Sequence, residues 1–205
     1  MKILTCAILL TAITAQSEPF STFDKVDKIS NIKVVCESTS AAKYYDQNGK
    51  FINEEAESIE ISETHRKTIF SGSTEYRQTT TKSNNGSESM SLVKIERSTV
   101  DNILTEKITS RGTRVINDSD KRVKDFNRSM TDTYLIVGNT KYLTSSVQDG
   151  KVMQTNGFKV VSHVIDDKTT VITSSENTPY FETYGDGLKV EILKSETKCT
   201  ETILD

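Results

Sequence analysis

The amino-acid sequence predicts an all-β fold: a single antiparallel up-and-down meander of about ten strands, closed or strongly curved into a barrel, with one or two short helices. Three observations predict it. Turn signals recur along the chain, at Asn48-Gly49, Asn84-Asn85-Gly86, Gly112, Gly138-Asn139, Asp149-Gly150, Asn156-Gly157, Asp166-Asp167 and Gly185-Asp186-Gly187. Asn-Gly and Asp-Gly accept the positive φ of tight hairpin turns, so these signals favour consecutive hairpins over crossover units. The segments between them alternate with period two, and the composition is rich in Ser, Thr, Val and Ile and poor in Gly, which suits strands.

Taken in order, strands are expected at 31–38, 57–70, 73–83, 87–98, 101–110, 132–138, 140–147, 157–165, 169–175 and 187–200, with 113–117 extending one of them. Ile32, Val34 and Cys36 share one face of the first, and Ile59 and Ile61 share one face of the second. Leu188, Val190 and Ile192 alternate with Lys189 and Glu191 near the end. Phe158, Val160 and Val164 stand opposite Val161, His163 and Ile165, a pattern suited to a strand covered on both faces. Two stretches read as helix instead. From Pro19 to Ser30, Phe20, Phe23, Val26 and Ile29 stand three apart behind a proline. From Ser119 to Met130, Val123, Phe126 and Met130 fall on one helical face, with Ser119 placed to cap it.

The first fifteen residues read as a signal peptide. Lys2 supplies a positive start, Ile3 to Thr14 is apolar, and Ala15 ends the run before polar Gln16-Ser17-Glu18. The run falls short of the ~20 residues a membrane helix needs. The reading is export to the periplasm or cell exterior, with cleavage after Ala15, and one antiparallel β-domain over 16–205. At about 190 residues that domain can bury a core. Nothing after residue 16 is apolar enough to span a membrane as a helix.

Cleavage leaves two cysteines, Cys36 and Cys199. An even count in an exported chain reads as a disulfide, and two cysteines allow one connectivity. The bridge would join the first strand to the last, as barrel closure requires. Parity stands against a simple version of it. Counted straight along the strand, Cys199 lies on the opposite face from Leu188, Val190 and Ile192, so the bridge needs a bulge in the last strand or an outward-facing link. Without closure, a meander leaves two edges open.

The formal net charge is −3, with charges well mixed and no tryptophan; Phe and Tyr are scattered along the chain. No basic face suggests nucleic acid. Tyr44 to Glu55 partly matches a calcium-binding loop, with Asp46, Asn48, Gly49 and Glu55 in place, but Tyr44 stands where the first carboxylate belongs, so the segment reads as a hairpin turn. His65 and His163 lack a nucleophile–base arrangement, and no HExxH, P-loop or G-x-S-x-G appears. Sequons occur at Asn85, Asn117 and Asn127. These features give no cofactor or metal and point to a non-enzymatic domain. Two functions fit: carriage of an apolar small ligand in the barrel interior, or a structural module binding another protein through a strand edge or face.

Overall fold

Hairpins do follow one another along the whole chain. A computed structural model describes residues 28–115, 123–184 and 187–204. The strands are β1 (Lys28–Tyr45), β2 (Phe51–Ser71), β3 (Thr74–Ser83), β4 (Glu88–Val100), β5 (Ile103–Val115), β6 (Val123–Val137), β7 (Thr140–Gln148), β8 (Lys151–Met153), β9 (Lys159–Val164), β10 (Thr169–Ser175), β11 (Tyr180–Thr183) and β12 (Lys189–Ile203). All described pairings are antiparallel, in the order β1-β2-β3-β4-β5-β6-β7-β9-β10-β12, and β12 pairs back onto β1. The sheet is therefore a closed ten-stranded barrel, with β8 added to β7 and β11 added to β12. Closure removes the two edges that a meander would leave open.

The turn chemistry works as its residue types dictate. Asp149-Gly150 and Asn156-Gly157 both take positive φ at two successive residues, and Gly49 and Gly86 take φ near +80°. Asp46 Oδ1 accepts the backbone N–H groups of Asn48 and Lys50, tying the β1–β2 turn. Asp166 Oδ1 does the same for Lys168 and Thr169. The calcium-loop match is thus a hairpin turn.

Gly112 is a correction, since it lies inside β5, paired with Ser91 and Phe126, and not in a turn. A Cβ there would lie 2.1 Å from the carbonyl oxygen of Met90. Glycine marks a close approach of backbones.

Both helix expectations need comment. The first falls mostly outside the described residues; its last three, Lys28 to Ser30, begin β1. The second is overturned over residues 123–130, which belong to β6, while 119–122 lie outside the described residues. The reason is the chemistry of the barrel interior. Partners in the ladders place Phe126, Arg128, Met130, Asp132 and Tyr134 on the inward face of β6. Two of those five residues are charged, which interrupts the apolar alternation, and the apolar residues left over fall at helical spacing.

The inward row is continuous around the ring. It contains the buried residues Ser30 and Val34 of β1, Thr68 of β2, Glu75 of β3, Ile95 of β4, Leu104 and Glu106 of β5, Asp132 and Tyr134 of β6 and Ser146 of β7. Six of these ten are polar, so the lumen is a polar core. The outward face carries charges at mid-strand, in the pairs Lys33–Glu63 and Lys94–Glu96. No described helix is long and apolar enough to cross a membrane.

Strands β1 and β2 are the longest, and their upper parts rise beyond the ring. β3 pairs with β2 only from Ser62 to Ser71 and Asn84 bonds Ile61, so among the described residues Phe51–Glu60 of β2 has a partner on one side only, β1. β1, β12 and the short β11 complete a four-stranded extension at this end. Register shifts on both sides of Ala41 and Ala42 mark where the extension leaves the barrel: Ser40 pairs with Ser58 and Ala42 with Glu55, while Ala41 pairs with Lys194 and Ala42 with Ile192. Leu193 is the extra residue in β12.

Candidate functional site

The predicted cysteine pair is brought together. Cys36 and Cys199 face each other directly in the β1–β12 ladder, are bonded through their sulfurs, and have Cα atoms 4.0 Å apart. The parity conflict is resolved by the Leu193 bulge. Above it Val190 and Ile192 point inward; below it Cys199 does. The link is on the inner face of the seam.

Below the cysteines the lumen is filled by ion pairs. Arg97 lies at the centre, bonded through Nη1 to Glu75 and through Nε to Glu106 at 2.6 Å. Arg77 also bonds Glu75, and Lys141 reaches Glu106 at 3.9 Å. Arg66 pairs with Glu201 at 2.9 Å across the β1 strand that separates them. Burial pushes the Glu75 carboxyl up, but the two arginines outweigh it and hold it below the usual carboxylate range. Burial, then the Asp132 and Glu106 charges, raise the Tyr134 phenol well above its ordinary value. The lower half of the barrel thus pairs its cations with Glu75, Glu106 and Glu201, while buried Asp132 accepts from the Tyr134 hydroxyl and its Oδ1 has no hydrogen-bond partner among the described residues.

Two other regions are not self-satisfied. The first is the tip of the extension. Tyr45 stacks edge-on against Phe51 at 6.0 Å and lies 6.4 Å from Phe181. Phe51, Phe181 and Tyr184 are each more than half exposed. Four phenols donate to carboxylates here: Tyr44 to Glu55, Tyr45 to Glu191, Tyr180 to Glu176 and Tyr184 to Glu182. Those hydrogen bonds raise the Tyr44, Tyr45 and Tyr184 phenols, and burial followed by Glu176 raises Tyr180. Beside them runs the open edge of β2, with Glu54, Glu55, Glu57 and Glu60 and no cation between Phe51 and Ile61.

The second region is the upper mouth of the barrel, a cavity of about 350 Å³ on the inner face of β2 to β6. Arg114 and Arg128 contribute cations, Phe126 an aromatic ring, and Ser62, Ser83 and Ser89 hydroxyls. The Arg128 guanidinium lies 5.8 Å from the Phe126 ring centroid.

Neither region was visible in the sequence as a site. Four of the seven tyrosines gather at the tip although the aromatics look scattered along the chain. The available signal was the pair of segments Tyr44-Tyr45-Asp46 and Tyr180-Phe181-Glu182-Thr183-Tyr184, each mixing aromatic rings with carboxylates. The histidines stay apart. His65 is on the outer face, 2.9 Å from Glu63, and His163 Nδ1 lies 3.3 Å from the Asn139 amide. Asn85 sits at the β3–β4 turn and Asn127 on the outer face of β6, both exposed; Asn117 lies outside the described residues. Among the described residues no group of three or more His, Cys, Asp or Glu is arranged to hold a metal ion.

No protein-family model matches the chain, and no curated protein sequence matches it. Two solved structures with some likeness are a de novo designed transmembrane β-barrel and neisserial surface protein A. The first is 7% identical, with a TM-score of 0.30, over 88% of this chain and 100% of that one. The second is 8% identical, with a TM-score of 0.28, over 84% of this chain and 98% of that one.

Proposed function

We propose that this is an exported, water-facing, non-enzymatic barrel that binds another protein by taking up a basic, extended segment along the open edge of β2. The observation that carries the reading is the run Phe51–Glu60, unpaired on its outer side among the described residues, lined by carboxylates and flanked by Tyr–Glu pairs. An open edge offers a row of backbone N–H and C=O groups to an incoming strand. Its carboxylates repel a second copy of the same edge and attract lysine and arginine, and tyrosine faces beside carboxylates suit cations further. Mid-strand charges on the outer face, such as Lys94 with Glu96, support water over lipid around the barrel. The carrier reading fares less well for an apolar cargo. The lower lumen is filled by ion pairs, and the mouth offers arginines and hydroxyls, which such a cargo would leave desolvated and unpaired.

Amide exchange in the presence of synthetic peptides tests this. A peptide alternating Lys and Val should slow exchange in Phe51–Glu60 by about tenfold or more, while one alternating Glu and Val should not. Glu54→Lys with Glu57→Lys should reverse that preference; Glu57 gives up only an exposed pair with Lys194. Equal protection by both peptides, or protection confined to other strands, overturns the reading.

A further inference from the structure

The cations of the barrel interior divide into two groups. Deep in the lumen, Arg66, Arg77, Arg97 and Lys141 each have a carboxylate partner. At the mouth, Arg114 and Arg128 project into the cavity, and neither is held in an ion pair among the described residues. Glu88, on the same rim, is neutralised by Lys82 at 3.2 Å. Among the described residues, the rim therefore keeps positive charge outside any ion pair on the β5–β6 side.

What surrounds that charge is not a simple anion pocket. Phe126 lies between the two arginines on the inward face, directly across from Gly112 in the ladder. Gly112 has no side chain to cover the ring, and the backbone approach at Met90 admits none. Facing the arginines are the hydroxyls of Ser62, Ser83 and Ser89 and the carboxylate of Glu60 on the β2–β4 side. A cavity of about 350 Å³ falls in the size range of small-molecule sites.

We propose that the mouth binds a sugar acid, a hydroxylated ring carrying a carboxylate. Each part of such a ligand has a counterpart. A guanidinium fork takes a planar carboxylate in two parallel hydrogen bonds. An aromatic ring takes the C–H face of a sugar ring, for which a bare ion has no use. Serine hydroxyls exchange hydrogen bonds with ring hydroxyls in either direction, and Glu60 accepts from one of them. Inorganic phosphate would satisfy the arginines and leave the rest of the lining unengaged. A neutral sugar would leave two guanidinium groups without a counter-charge.

Titration of the whole mature protein with glucuronate, glucose and inorganic phosphate, followed by backbone amide NMR, tests the assignment. Glucuronate should give saturable shifts at residues 81–89, 112–114 and 126–128. Glucose should give none, and phosphate should bind at least about tenfold more weakly. Arg114→Gln with Arg128→Gln should lower glucuronate affinity by about tenfold or more; both side chains are exposed, so the fold should remain intact, which the unperturbed remainder of the spectrum would verify. Phe126→Leu should weaken glucuronate while leaving phosphate unchanged. No saturable response to glucuronate overturns the proposal. Phosphate binding as tight as glucuronate overturns it too, since that would make the mouth a general anion site. The peptide-binding variants at Glu54 and Glu57 lie outside the mouth, so the two readings fail independently.

Discussion

Arg97 serves two carboxylates, Glu75 and Glu106, and this sharing makes the lower lumen sensitive to proton uptake. Burial would raise the Glu75 carboxyl, but Arg77 and Arg97 bring it below its ordinary value. A carboxyl whose folded pKa is depressed binds fewer protons folded than unfolded. Its contribution is complete at neutral pH and is lost as pH falls through the folded value. Glu75→Gln should therefore cost about 2 kcal/mol at pH 7, where it leaves two guanidinium groups facing an amide. It should also flatten the decline in stability from about pH 5 downward, because one of the groups responsible is gone. Urea unfolding of the two proteins across that range measures both effects. A variant that loses stability in parallel with the parent at every pH would show that Glu75 does not titrate with folding.

At the scale of the strand, the single extra residue Leu193 sets which way β12 faces. Deleting it forces either the lower or the upper segment to turn over, because a shift of one residue exchanges the two faces. The lower segment is paired on both sides, by β1 and β10, and is fixed by the cysteine bridge. The upper segment has only β1 and the four-residue β11. The deletion should thus leave the bridge intact and expose Val190 and Ile192, with faster amide exchange in 180–183 and 189–192. Loss of the bridge with a protected tip would mean the opposite segment had turned. Strands of this kind also show what a sequence can and cannot display. β10, with Val171 and Ile172 among threonines, lies where alternation and turn signals place it, at Thr169–Ser175. β7 differs from expectation by one residue. The upper half of β6 was illegible because its inward row sets Arg128 between Phe126 and Met130, and an apolar pattern is the wrong signal for a partly charged interior. The upper parts of β1 and β2 carry no one-sided pattern because they rise above the core. β8 and β11, with three and four residues, are too short to show a period. The tip was hidden for another reason: Tyr45 and Glu191 are 146 positions apart, and only the closed ring makes them neighbours.

For the whole molecule, the bridge between Cys36 and Cys199 spans 163 positions, nearly the full run of described strands. On the chain-entropy account, constraining so long a loop is worth roughly 5 kcal/mol, taken from the unfolded state. Cys36→Ser with Cys199→Ser should lower the unfolding free energy by several kcal/mol, about 4 as a working value. The parent should show the same loss once reduced, and a reduced parent that matches the oxidised one in urea would remove the bridge as a source of stability. Intact mass of the mature protein supplies a companion check on export. It should correspond to a chain starting at Gln16 and lacking the two thiol hydrogens; a chain retaining Met1 or Lys2 would remove the signal peptide.

The seam itself has a consequence in time. Of the described strands, β1 leaves the ribosome first and its partner β12 last, and Leu204 N–H donates to the carbonyl of Asn31 only after all of them have emerged. Pairing of such distant segments is slow, and until it occurs β1 is an edge waiting for a strand. If the chain is passed through a membrane, closure can happen only on the far side, and oxidation of the two thiols there fixes it. The bridge then acts as a ratchet: once the ring is joined, the chain can neither slip back through a narrow channel nor reopen its first strand to a neighbour.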